Sequence, residues 1–199
     1  MKISRPFNIL GLVAFLFAGT MFLTSCGKDP DPVPNTGAGT FEFHLHNYVG
    51  DNEVEDYGTI YTDDAGRKIS LDLAQLYLSH IQLVRPDGSI YEVSDFKILK
   101  KQESDVYTLS KVPAGDYKTV RFRLGFDATD NQKAASTDAT LLDHPEMWFG
   151  ASPQPDGYVF LHVRGKVDPT KDATGTEAQM APFDYKIGTA SNYLQVILP

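Results

Sequence analysis

Along most of the chain, apolar and polar residues alternate with a period of two. The segment "FEFHLHNYV" (41–49) sets Phe41, Phe43 and Leu45 against Glu42, His44 and His46, and "YKTVRFRLGF" (117–126) sets Val120, Phe122 and Leu124 against Arg121 and Arg123. Successive strand side chains point to opposite faces, so both segments predict strands with one buried face. "YLSHIQLVRPDGSIYEVSDF" (77–96) adds two strands around Pro86–Gly88, where glycine accepts the positive φ of a hairpin turn. "DVYTLSKVPAGDYKTV" (105–120) reads as a second hairpin of the same kind about "PAG" at 113–115.

"GYVFLHVRGKV" (157–167) and "FDYKIGTASNYLQVIL" (183–198) supply the last strands, and "SLDLAQLYL" (70–78) reads as a single helical turn. About eight or nine short strands separated by turns every 8 to 12 residues predict an all-β fold, an antiparallel β-sandwich of Greek-key, immunoglobulin-like type. The stretches 127–147 and 166–179 read as long loops, where a rigid sandwich tends to carry its sites.

The first 25 residues depart from this pattern. Lys2 and Arg5 precede the uncharged apolar run "FNILGLVAFLFAGTMFL", which marks a secretory signal. It ends in "LTSC", Leu23 to Cys26, which resembles the lipobox of bacterial lipoproteins: cleavage before Cys26 and lipidation of its thiol would anchor the chain stably through two or three acyl chains. Gly27 in place of an acidic residue favours the outer membrane of a Gram-negative bacterium, and "KDPD" (28–31) leaves periplasmic face and cell surface open. Residues 26–39, with "GKDPDPVPNTGAG" after the cysteine, read as a flexible tether, and 40–199 as one domain.

Cys26 is the sole cysteine, so the mature domain is expected to contain no disulfide, zinc thiolate or cysteine nucleophile. The formal net charge is −8, and removal of Lys2 and Arg5 with the signal lowers it by two to about −10. Such a surface disfavours nucleic acid.

Metal ligation is the chemistry with several candidates. His44 and His46 form an H-x-H on one strand face, some 6.5–7 Å apart, a spacing that suits two imidazoles on one metal or two solvated side chains. His144 and His162 bracket the turn-rich segment of Trp148, and converge on His44 and His46 if their strands are neighbours. Met147 would add a soft thioether that favours copper over calcium or magnesium. His80 reads as a surface or hydrogen-bonded core residue, and Asp127, Asp130, Asn131 and Asp138 lack the ligand spacing of a calcium hand. No G-x-S-x-G, phosphate loop or H-E-x-x-H occurs, so an enzyme is not expected.

The order of motifs is itself informative: "FHLHNYVG", "YLSHIQLVRPDG", "VPAGDYKTVRFRLGFD", "MWFGASPQPDGYVFLHVRGK" and "FDYKIGTASNY". Together they resemble the MbnP-like family of copper-binding proteins over nearly all of 41–198. The resemblance implies a secreted or lipid-anchored β-sandwich, a haem peroxidase-like partner, and a tryptophan that is oxidised to kynurenine and binds copper together with histidines. Trp148 is the matching position, and His46 matches the first-strand element. Lys186 stands where the family's late element often carries histidine, and "GASPQPD" (150–156) interrupts the aromatic cluster before Gly157–Tyr158. The expected function is copper binding for acquisition, storage or delivery. The alternative is a metal-free lipoprotein that presents its loops to a protein or glycan.

Overall fold

A computed structural model describes residues 37–93, 97–102, 105–153, 157–170, 176, 179–189 and 191–199. The chain divides into Met1–Pro34 and Asn35–Pro199. The signal and Cys26 lie outside the described residues, as does all of the tether before residue 37. Among the described residues no helix is long and apolar enough to cross a membrane.

Twelve strands are described: β1 Ala38–His44, β2 Tyr48–Val49, β3 Asn52–Glu53, β4 Ile60–Thr62, β5 Lys68–Val84, β6 Ile90–Glu92, β7 Ile98–Lys100, β8 Val106–Pro113, β9 Thr119–Leu124, β10 Val159–Asp168, β11 Ala181–Gly188 and β12 Leu194–Leu198. Every pairing is antiparallel. The expected all-β, sandwich-like fold is present.

Its organiser is β5, 17 residues long, which occupies the segment whose first half read as a helical turn. The reason for that misreading is burial on both faces. Leu71, Leu73, Ala74, Tyr77 and Leu78 are all buried, and a strand covered on two sides loses the polar alternation that identifies a half-buried one. Leu76 pairs with both Leu161 of β10 and Lys100 of β7, and Leu78 with both Leu124 of β9 and Ile98 of β7. Hence β10 and then β9 line one side of β5, while β4, β7 and β6 line the other. Beyond β10 lies β11, and beyond β9 lies β12.

β1 and β8 form a separate two-stranded sheet over Phe43, Leu78, Ile81, Leu83, Leu109 and Phe122. The "PDG" turn is a hairpin as read: Gly88 has φ +87° and Arg85 N–H donates to Ser89 O at 2.9 Å. The "PAG" turn is not. β8 leaves it to pair with β1 and β9 to pair with β5, so it is a corner between sheets, held by the Tyr117 hydroxyl donating to Pro113 O at 2.6 Å. A turn of correct chemistry fixes local direction, whereas strand partners are chosen by which apolar face finds cover.

The stretch 127–147 is more ordered than a plain loop. It folds into 3₁₀ turns at Asp130–Gln132, Ala135–Asp138 and Pro145–Met147 around a one-turn helix, α1, Ala139–Leu142. It closes over an aromatic cluster in which Phe126 lies 4.5 Å from Tyr77, 5.6 Å from Tyr158 and 5.8 Å from Phe160, ring centre to ring centre. The second predicted loop is shorter than read, because β10 continues to Asp168.

Candidate metal centre

His44 ends β1, and His46 follows two residues on, where Leu45 N–H still bonds Asp105 O at 2.8 Å and keeps the backbone extended. The alternation expected from the sequence holds: Phe43 is buried, and both histidines are exposed on one face. Their rings stack, with centres 6.5 Å apart and planes 21° from parallel. His46 Nδ1 is held by Glu53 of β3, which leaves Nε2 as the ring nitrogen for a ligand. His44 Nε2 lies 3.6 Å from Glu42.

A third carboxylate stands nearby. Asp105 accepts a hydrogen bond from the buried Lys100 ammonium at 2.6 Å, which with the charge of His46 holds its carboxyl below the usual range. Two imidazoles beside Glu42 and Glu53 make a field that favours a cation, while Asp105 is already paired with Lys100. A carboxylate on the far nitrogen of a ligating histidine is the usual second partner of a metal site.

The other candidates lie elsewhere. His162 of β10 is buried, donates from Nδ1 to Glu146 O at 2.8 Å and bonds Asp184 Oδ1 through Nε2 at 2.8 Å. Both ring nitrogens are committed to acceptors, so neither lone pair faces a metal. His144 reaches Thr140 O through Nε2 at 3.0 Å and Glu146 Oε1 through Nδ1 at 3.4 Å. Met147 is fully buried in the aromatic cluster, so its sulfur serves packing. Trp148 is half-buried; its indole N–H donates to Leu142 O at 3.1 Å, and its carbonyl accepts from the Lys186 ammonium at 3.2 Å. Lys186 is the cross-strand partner of His162.

The structure thus gathers His144, Trp148 and His162 around the turn 144–148, with Glu146 shared between the two histidines. It does not bring His44 and His46 to them. His46 lines an open cleft with Ala74, Val163 and Phe183. His162 precedes Val163 on β10, so its side chain lies on the opposite face of the sheet. The convergence expected if these strands were neighbours does not occur, because β1 pairs with β8 rather than with β10.

Sequence reasoning missed one cluster. His80 Nε2 lies 3.0 Å from Asp127 Oδ2 and 3.8 Å from Asp130 Oδ2, and the three ligand atoms fall within 4.8 Å of one another. His80 sits at φ +51°, where β5 passes from β10 to β9, and this turns its ring toward residue 127, 47 positions along the chain. Backbone N–H groups of Asp130 and Thr129, with the His80 charge, hold the Asp127 carboxyl below its usual range. Lys133 lies 2.7 Å and Lys97 3.3 Å from Asp130, and Arg123 3.6 Å from Asp127. Three cations neutralise the two carboxylates, which makes this an ion-pair clasp between β5 and the segment after β9.

The family model for MbnP matches residues 38–198. The chain belongs to the MbnP family. Among solved structures, MbnP from Methylosinus trichosporium superposes on it with a TM-score of 0.55 at 14% sequence identity, covering 80% of this chain and 68% of that one. No curated protein sequence matches. At that identity the MbnP likeness bears on fold, and the match from 38 to 198 spans β1 through β12. Within this MbnP domain the sequence resemblance placed the family's histidine at His46 and its tryptophan at Trp148, and the two stand on opposite faces of the sheet that contains β10.

Proposed function

We propose that this MbnP-family chain is a lipid-anchored, extracytoplasmic protein of the outer membrane, anchored through Cys26, that binds copper rather than catalysing a reaction. The supporting observation is the His44–His46 pair: two stacked imidazoles at an exposed strand end, one already oriented by Glu53, within a group of carboxylates. Imidazole with carboxylate suits several divalent metals, and among the first-row ions copper(II) binds such donors most tightly. Bound there, copper would be held without unfolding anything, because both side chains are exposed. Around Trp148 the donors fit less well, since His162, Met147 and the indole N–H are committed within the protein.

Titration of the metal-free protein with copper, followed by absorption and electron paramagnetic resonance, tests the reading. Saturable uptake at micromolar copper is expected, and it is lost in the His44→Ala, His46→Ala double variant but kept in His144→Ala. No saturable uptake, or uptake unchanged in the double variant, sinks it. The commitments of His162, Met147 and Lys186 support a second reading, a metal-free surface lipoprotein that presents a protein or glycan interface, and an absence of uptake favours that one. Intact mass of natively purified protein reports whether Trp148 is oxidised to kynurenine, the modification that a haem peroxidase-like partner would leave.

A further inference from the structure

The outer edges of the sheet differ in a way that matters. β11 ends one path and carries Pro182, Asp184 and Lys186, devices that stop a strand edge from pairing with another molecule. β12 ends the other path as "LQVIL", with no charge, no proline and no bulge in its pairing with β9. Its side chains are exposed on both faces: Leu194 59%, Ile197 58% and Leu198 45%, with Tyr193 at 42% just before it. A bare apolar edge of this kind is an open template for a further strand.

We infer that β12 is a dimer edge and that a second copy of this chain pairs with it. The strand is suited to antiparallel pairing about a twofold axis at Val196, which sets Leu194 opposite Leu198 and Gln195 opposite Ile197 of the other copy. A twofold contact uses the same patch on both subunits, and this sequence complements itself. Charge selects the same partner. With a formal net charge of −8, two copies repel over most of their surface, but residues 193–198 carry no charged side chain.

The available area agrees. Tyr193, Leu194, Ile197 and Leu198 expose about 400 Å² per copy, or about 800 Å² for the pair, the size of a weak, reversible contact before the new backbone hydrogen bonds are added.

Sedimentation equilibrium of the full-length chain, in detergent micelles matched to the solvent density, tests this. The wild type is expected to sediment as a dimer. Ile197→Lys and, independently, Leu194→Glu weaken dimerisation at least a hundredfold, with melting temperatures near that of the wild type because both positions are exposed. Tyr185→Lys on β11 leaves the dimer intact. A wild-type monomer at roughly 100 μM overturns the inference, as does a dimer that survives both β12 variants or is dispersed equally by Tyr185→Lys.

Discussion

Tyr77 ties the central strand to the segment that closes over the aromatic cluster. Its side chain is fully buried, and its hydroxyl donates to Leu141 O at 2.9 Å. Tyr77→Phe removes that donor and little else. A neutral hydrogen bond of this kind contributes about 1 kcal/mol net, so at pH 7 the variant should melt about 3 °C lower, the shift expected for a domain of this size.

The same residue predicts a pH dependence of definite sign. Burial, with neighbouring Tyr158 and the charges of Glu146 and Asp138, pushes the Tyr77 phenol far above its ordinary value, whereas in the unfolded chain it ionises near pH 10. Above pH 10 the unfolded state therefore binds fewer protons than the folded one. The contribution of Tyr77 is fully present below pH 10 and falls as pH rises, by up to about 1.4 kcal/mol per unit. Phenylalanine carries no such penalty. The two stability curves should cross where ionisation in the unfolded chain offsets the lost hydrogen bond, at about pH 10.6. Urea denaturation of both proteins between pH 7 and 11 gives the curves, and Tyr158, also raised by burial, affects both alike. Parallel curves across that range would mean that burial does not hold the Tyr77 phenol protonated in the folded state.

Glu53→Gln keeps the size of the side chain that orients His46 and removes its charge. Copper affinity should fall 10- to 100-fold by titration, with thermal stability unchanged because the pair is exposed on both sides. Asp127, whose carboxyl is held low by the backbone of Asp130 and Thr129 and by His80, contributes stability that is present above about pH 4 and is lost as pH falls through its depressed value. Asp127→Asn should therefore destabilise the protein at pH 7 and lose less on acidification, which acid denaturation followed by circular dichroism reads directly.

The strands with one wet face were legible because alternation reports burial directly: Phe41, Phe43 and Leu45 against Glu42, His44 and His46 gave both β1 and the shared face of the histidine pair. β5 was not, since cover on both faces leaves Leu71, Leu73 and Ala74 apolar in a row. The split among the candidate ligands was hidden for a different reason. Which strand lies beside β1 is decided by packing 60 or more residues away, and β8 rather than β10 takes that place. His80 and Asp127 meet only because of a positive φ at one strand residue, and nothing in "YLSHIQ" announces it. Lys186, a departure from the family pattern, stands opposite His162 with its ammonium on the Trp148 carbonyl.

The length of β5 also dictates the order in which the molecule can be made. As the chain is delivered N-terminus first, β4 is already available and β6 and β7 follow by residue 100, so one side of β5 can pair early. The opposite side waits for β9 and, along 68–76, for residues 159–168. For all that interval a strand apolar on both faces stands with one row of amides open. Such a nascent chain is a natural client for a chaperone that holds extended segments, and truncation anywhere before β10 should leave a product that aggregates rather than a smaller stable fold.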